Sequence, residues 1–380
     1  MSKRLRKMKK GRLIVSASEI SADILYASGF FCPDPFIFFS AGSEKAVVLS
    51  TLEYQRALSQ VKKGVKVYHD LAFAKKENAH PGKLELIIAI SEKTGIKDWE
   101  VPPDFSLKYA RDLEKKGIKT TISESAFFPA RAVKTKREIS FIAKAQKATE
   151  SAMKMAQRMI AEASVDKNSS LILNGEILSS ERLRSEIETE LKRNGYSASR
   201  TITACGRQSS EPHNAGNGPL KAGQVIIADI FPRSDATGYW GDMTRTFFKG
   251  KAPSTIKRAF DAVFEAKEKS RAMLKAGVKA AAVYRKAFEV LEKRGFPTGS
   301  KNGLNYGFIH GLGHGVGLEI HEQPRVSPMN HGILEEGNVI SVEPGLYYPE
   351  WGGIRIEDLA IIGESSHVLL NSPAAELEIP

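Results

Sequence analysis

Cysteine is nearly absent. Cys32 and Cys205 are the only two in 380 residues, and they lie far apart. That excludes a disulfide framework and a thiolate-built zinc site, and it fits a reducing cytoplasm. No apolar run approaches the roughly 20 residues needed to cross a bilayer; residues 86–90 are typical of the longest. The basic start of the chain is not followed by a sustained apolar stretch with a small-residue cleavage site, so no secretory signal is read. Internal repeats are lacking, as is low complexity beyond the first dozen residues.

What is present describes a globular chain long enough for two domains, with 42% hydrophobic and 26% charged residues. The formal net charge is +12, and residues 1–13 carry seven basic side chains and no acid. Residues 1–12 therefore read as a basic flexible tail. No aromatic residue interleaves its charges as in single-strand binders, so a solubilising end is expected rather than a nucleic-acid partner.

Residues 13–130 read as an α/β domain. Strands are expected at residues 13–15, 36–39, 46–49, 65–68 and 86–90, with helices over residues 22–28, ended by Gly29, and 51–58. A boundary falls near residues 129–134, and the second domain runs over residues 131–380. Thr135 and Glu138 have capping-box spacing, and a long amphipathic helix should follow with Ile139, Ile142, Ala145, Ala148 and Ala152 on or near its apolar face. A second helix is expected over residues 180–193, after a polar surface loop at residues 164–174. Further on, strands are expected at residues 201–204, 224–231, 239–248, 338–344 and 353–362, and helices near residues 253–274 and 280–294.

Residues 307–325 hold His310, His314 and His321 interleaved with Gly311, Gly313, Gly315 and Gly317. Glycines let backbone approach a ligand closely, and imidazoles are the usual metal ligands and proton shuttles near neutral pH. The acidic residues define the chemistry further. Asp229 sits inside an apolar strand, Glu343 ends another, and Glu357 is flanked by Ile354, Ile356 and Leu359. A carboxylate buried in a strand is costly unless it is paired or binds a metal. Asp229 and Asp242 lie on strands joined by a turn and can face one point. With Glu343, Glu357 and His314 they form an oxygen-rich set suited to manganese, cobalt or iron. Four carboxylates exceed what one divalent ion neutralises, which favours two.

His213, Asp229, Asp242 in Gly-Tyr-Trp-Gly-Asp-Met-Thr-Arg-Thr, His314 in His-Gly-Leu-Gly-His-Gly-Val-Gly, His321, Glu343 in Val-Glu-Pro-Gly and Glu357 in Arg-Ile-Glu-Asp together resemble the M24 metallopeptidases. This is the pita-bread family of methionine aminopeptidase, aminopeptidase P and prolidase, and the likeness spans about residues 135–375. Residues 25–30, Leu-Tyr-Ala-Ser-Gly-Phe, are similar to a segment of creatinase/prolidase-type N-terminal domains. One departure is the thirteen-residue separation of Asp229 and Asp242, two more than the commoner family spacing.

The resemblance implies an α+β pita-bread catalytic domain behind a smaller creatinase-like α/β domain. It implies two divalent ions, manganese or cobalt first, with zinc or iron as alternatives. Asp229 would hold one ion, Asp242 and Glu357 would bridge both, and His314 and Glu343 would complete the second. A bridging hydroxide would attack the peptide bond before proline. Glu343 would act as general base, His213 and His321 would bind substrate and stabilise the tetrahedral intermediate, and His310 would line the leaving side. Arg325 resembles the arginine that grips a dipeptide carboxylate in prolidase-like members.

Prolidase and Xaa-Pro aminopeptidase both remain open. A methionine-aminopeptidase-like specificity is disfavoured by the N-terminal domain, and a metal-free binding protein by the retained carboxylates. Relatives often form homodimers, and a proline-containing peptide is the expected partner.

Overall fold

The apolar residues 13–15 lie in a strand, β1 (Lys10–Ser16), that begins earlier than the pattern suggests. The computed structural model describes residues 10–74, 81–370 and 375–380, and the chain divides into two units, Met1–Pro129 and Ala130–Pro380. Lys10 to Arg12 therefore belong to the sheet rather than to a tail. Ladder pairing and the bond from Arg12 Nε to Glu100 Oε2 at 3.1 Å hold them there. The remainder of the expected tail, residues 1–9, lies outside the described residues.

In the first unit, α1 (Ala22–Ser28) stops at Gly29, whose φ of 63° suits a residue without a side chain. The strands β2 (Phe36–Ala41) and β3 (Glu44–Leu49) form the expected hairpin, followed by α2 (Thr51–Gln60) and β4 (Lys66–His69). Residues 86–90 are not a strand but part of α3 (Lys83–Thr94). A short apolar run fits a buried helix as well as a strand. Here Glu85 accepts from the Gly82 N–H at 2.7 Å, and Gly95 closes the other end with φ of 70°. After β5 (Asp98–Val101), α4 (Leu107–Glu114) and β6 (Lys119–Ile122), the sheet order is β4-β3-β2-β1-β5-β6. Strand alternation sends Leu13 and Phe39 to the α3 side, and Ile14 and Phe38 to the α1 and α2 side.

The second unit begins with α5 (Lys136–Glu162), capped as expected: Thr135 Oγ1 accepts from the Glu138 N–H, and the Glu138 carboxylate accepts from the Thr135 N–H at 2.8 Å. Residues 164–174, expected as a polar loop, enter a small meander of β7 (Ser164–Val165), β8 (Leu171–Leu173) and β9 (Glu176–Ile177). Burial of Leu171 and Leu173 supplies the reason. Then come α6 (Ser180–Arg193), β10 (Tyr196–Ser197), β11 (Ile202–Cys205), β12 (Val225–Ile230), β13 (Arg233–Ser234) and β14 (Met243–Lys249).

Helices α7 (Ser254–Arg271) and α8 (Ala280–Lys293) precede the hairpin of β15 (Gly299–Lys301) and β16 (Leu304–Tyr306). The histidine-rich stretch contributes β17 (Gly313–Gly315) and β18 (Glu322–Val326), and β19 (Val339–Val342) follows. The expected strand at residues 353–362 is two strands. β21 (Gly352–Arg355) pairs with β20 (Gly345–Tyr348), whereas β22 (Asp358–Ile362) pairs with β19. Ile356 and Glu357 occupy the break. With β23 (His367–Leu369) and β24 (Glu378–Ile379), the main sheets run β11-β12-β14-β24 and β18-β17-β19-β22-β23. Residues of α5 and α6 share one apolar core with β12 and β14, and residues of α7 and α8 share another with β19 and β22.

Both cysteines are free and buried. Among the described residues, no helix is long and apolar enough to cross a membrane.

Candidate metal centre

Each carboxylate is delivered by a strand or by the end of one. Asp229 lies opposite Thr244 in the β12–β14 ladder, and Asp242 immediately precedes β14. Gln146, buried on α5, brackets Asp242 by donating to its carbonyl at 2.8 Å and accepting from its N–H at 2.7 Å. Gly241 permits this approach, since a Cβ there would lie 2.5 Å from Thr149 Oγ1 and 2.7 Å from the Ala145 carbonyl carbon.

His314 sits in the middle of β17 and is buried. Its backbone N–H donates to Ser341 Oγ at 3.1 Å. The neighbouring Gly313 leaves no space for a side chain, because a Cβ would fall 2.0 Å from the Ser341 carbonyl oxygen. The ring places Nδ1 3.2 Å from the Gly315 carbonyl, so a proton on Nδ1 leaves Nε2 free to act as a ligand. Nε2 is 3.2 Å from Glu343 Oε1 and 3.6 Å from Asp242 Oδ2. Glu343 follows β19 directly, its N–H donating to the Leu312 carbonyl at 2.8 Å. Glu357, in the break before β22, is tied to β14 by its N–H donating to the Thr244 carbonyl at 3.1 Å.

These elements bring ligand atoms of Asp242, His314 and Glu357 within 4.8 Å of one another. Two carboxylate oxygens of residues lining this cleft remain open. Asp229 Oδ1 and Glu357 Oε1 are buried and have no hydrogen-bond partner among the described residues. Buried carboxylate oxygens are rarely left unbonded without a reason. A donor set of carboxylates and one imidazole, with lone pairs still open, fits hard to borderline divalent cations.

Electrostatics agree with that fit. Burial, then the charges of Glu357 and Asp229, raise the Asp242 pKa well above the carboxylate range. Burial, Glu343 and Asp229 do the same to Glu357. For Glu343 burial acts upward, but the hydrogen bond and charge of His314, with His310 and Arg355, prevail and hold it down at about 2. Protons on Asp242 and Glu357 must therefore leave before both residues can ligate a cation. Metal uptake is expected to release protons, and apparent affinity should rise as pH increases toward the raised pKa values. Calorimetry in buffers of different ionisation enthalpy measures this; uptake with no proton exchange would contradict it.

The predicted substrate residues occupy the same cleft, of about 970 Å³. His213, His310, His321 and Arg325 line it together with all five predicted metal ligands. His321 stands with its ring centroid 4.3 Å from that of His314. Burial, followed by His314 and Arg325, lowers its pKa to about 4, so it is neutral at pH 7. His310 is also pushed down by burial; its Nδ1 is 2.7 Å from the Gly311 carbonyl and its Nε2 is 2.9 Å from Tyr347 Oη. The Arg325 guanidinium makes no ion pair among the described residues. Ile202, Phe231, Ile309 and Ile320 supply apolar wall.

One part of the site was missed. Arg355 is buried; its Nη2 donates to Asp229 Oδ2 at 2.7 Å, its Nη1 to Tyr347 Oη at 2.7 Å and its Nε to Thr244 Oγ1 at 3.2 Å. Thr244 Oγ1 in turn donates to Glu357 Oε2 at 2.8 Å. A single guanidinium thus orients two predicted ligands. Its signal was present as the first residue of Arg-Ile-Glu-Asp, but a strand arginine does not announce which carboxylate it meets.

The family model described as Metallopeptidase family M24 matches residues 140–364. A Xaa-Pro dipeptidase of Pyrococcus furiosus is 33% identical over 250 residues, covering 65% of this chain and 65% of that protein. This alignment stops just short of two thirds of either protein. A Xaa-Pro dipeptidase of Pyrococcus horikoshii is 30% identical over 288 residues, 74% of this chain and 75% of that protein. The solved prolidase from Pyrococcus horikoshii superposes on 97% of this chain and 95% of its own, with a TM-score of 0.80 and 26% identity.

Proposed function

The chain belongs to metallopeptidase family M24 and has its pita-bread fold, and on that basis we propose that it hydrolyses the peptide bond before proline in dipeptides. The observation that carries this reading is the convergence of buried carboxylates on His314, with oxygens of Asp229 and Glu357 left open. Asp229, Asp242, His314, Glu343 and Glu357 would hold two divalent ions, manganese or cobalt ahead of zinc or iron in this oxygen-rich set. Such ions supply Lewis acidity and bring the pKa of water toward neutrality.

The chain's own groups do the rest. Glu343, held as a carboxylate beside His314, accepts a proton from the attacking water and returns it to the leaving proline nitrogen. His321, neutral at pH 7, donates a hydrogen bond to the scissile carbonyl oxygen as charge develops there, and His213, also lining the cleft, holds the substrate. His310, fixed by Tyr347, lines the wall for the leaving residue. Arg325 carries the dipeptide preference, because its guanidinium, which lines the cleft and makes no ion pair among the described residues, matches a free carboxylate in geometry and charge. A binding protein without catalysis has no use for this set of carboxylates. The free, buried cysteines fit the cytoplasmic location proposed for the enzyme.

Xaa-Pro and Xaa-Pro-Xaa peptides, offered to protein reloaded with manganese or cobalt, test this reading. Cleavage confined to the dipeptide supports it, and Arg325→Met is then expected to raise KM for the dipeptide about 10-fold or more, equivalent to a charge-assisted hydrogen bond of ~1.5–3 kcal/mol. Cleavage of the longer peptide with equal efficiency makes the protein a Xaa-Pro aminopeptidase. An Arg325→Met variant with unchanged KM would remove the carboxylate role.

A further inference from the structure

Immediately beyond Glu357 lies a second charged cluster that the proposed reaction does not use. Asp358, Arg245 and Lys267 are all buried, at 4%, 3% and 4% exposure. Arg245 Nη2 donates to Asp358 Oδ1 at 2.7 Å, and Lys267, reaching in from α7, donates to Asp358 Oδ2. The Lys267 ammonium also lies 3.7 Å from Glu268 Oε1. Arg245 Nη1 also donates to the Glu357 carbonyl at 2.6 Å and to the Thr244 carbonyl at 2.8 Å. Its guanidinium therefore spans the break between β21 and β22 where Glu357 departs from the ladder.

Two cations around one carboxylate are costly to bury. Arg245 engages one Asp358 oxygen, and without Lys267 the other would lose its charged donor in the interior. A carboxylate that loses this donor is held less firmly, and the Arg245 fork bonded to it is then less firmly set against the Glu357 carbonyl. A second set of bonds of this kind governs how well a ligand is aimed. The link from α7 to Glu357 thus runs through Lys267, Asp358 and Arg245.

We propose that Lys267 is a positioning residue for the metal centre: through Asp358 and Arg245 it locks the backbone of Glu357, and so sets the affinity with which that carboxylate holds a divalent ion. The inference rests on Glu357 being a metal ligand, as proposed above. Lys267 does not touch substrate.

The test compares Lys267→Gln with Lys249→Gln. Lys249 is also a buried lysine, and it donates to the Ala161 carbonyl at 2.6 Å and to a Pro380 oxygen, away from the cleft. Manganese dissociation constants are measured by calorimetry on the folded metal-free proteins, with KM for the peptide and the metal-free melting temperature alongside. Lys267→Gln is expected to weaken manganese binding about 10-fold or more, the usual range for such supporting residues, with KM unchanged. Lys249→Gln is expected to leave manganese binding as in the parent. Equal affinity in Lys267→Gln and the parent, or equal weakening in both variants, would overturn the inference while leaving the proposed function standing. A parent protein that takes up no manganese would overturn both. Should Lys267→Gln fail to fold, Lys267→Arg, which keeps the charge but moves it, is read in the same way.

Discussion

Asp242→Ala is expected to abolish metal-dependent hydrolysis without unfolding the protein. The carboxylate lies within the 4.8 Å cluster of Asp242, His314 and Glu357. Removing it takes a ligand atom directly, so the loss of turnover should exceed the ~10–100-fold seen for residues that only support ligands. Bound metal should fall below two equivalents. Stability should move the other way in the metal-free protein. Burial, Glu357 and Asp229 all penalise ionised Asp242. A group whose pKa is raised by folding costs stability increasingly as pH climbs toward that raised value. Removing it is therefore expected to leave the metal-free melting temperature unchanged or higher at pH values above the ordinary carboxylate range. Lost activity with retained stability marks a functional group; full metal-dependent activity in this variant would refute its place among the ligands.

Arg355→Met should cost more stability than any other substitution in the cleft. Arg355 is the only cation bonded to Asp229 among the described residues, and it also bonds Tyr347 and Thr244. Removing one partner of a buried ion pair leaves the other uncompensated and costs about 3–5 kcal/mol. A divalent ion at Asp229 would supply the missing positive charge. The loss should therefore be largest in the metal-free protein and partly recovered on adding manganese, giving the variant a greater metal-induced rise in melting temperature than the parent. Denaturant titrations with and without manganese measure this. An identical loss in both states would mean that Asp229 does not face a bound ion.

Much of this architecture could be read from the chain because local chemistry and tertiary demand coincide in it. The Thr135–Glu138 cap, the Gly29 stop and the hairpin bringing Asp229 beside Asp242 each follow from residues close in sequence. The misreadings share another origin. Residues 86–90 are apolar enough for a strand, and only the flanking Glu85 and Gly95 reveal α3. The run over residues 353–362 looks continuous, yet Ile356 and Glu357 leave the ladder so that Glu357 can reach the cleft.

The cleft shows the same division. His213, His310, His314, His321 and the four acids were legible because their residue types are conspicuous in glycine-rich or apolar surroundings, and they do meet in one place. Gln146, Thr244, Tyr347 and Arg355 were not. They are ordinary residues of a helix or strand, and their importance comes from partners 8 to 126 positions away in the chain. No periodicity encodes such pairings.

Two-metal hydrolysis before proline is tested most directly by titrating metal-free protein with manganese, with bound metal and proline released from a Xaa-Pro dipeptide followed in the same samples. Negligible turnover is expected without metal, and activity should climb to a plateau as the second equivalent binds. Saturation with manganese and no proline release, or release that persists in the presence of a strong chelator, would contradict it.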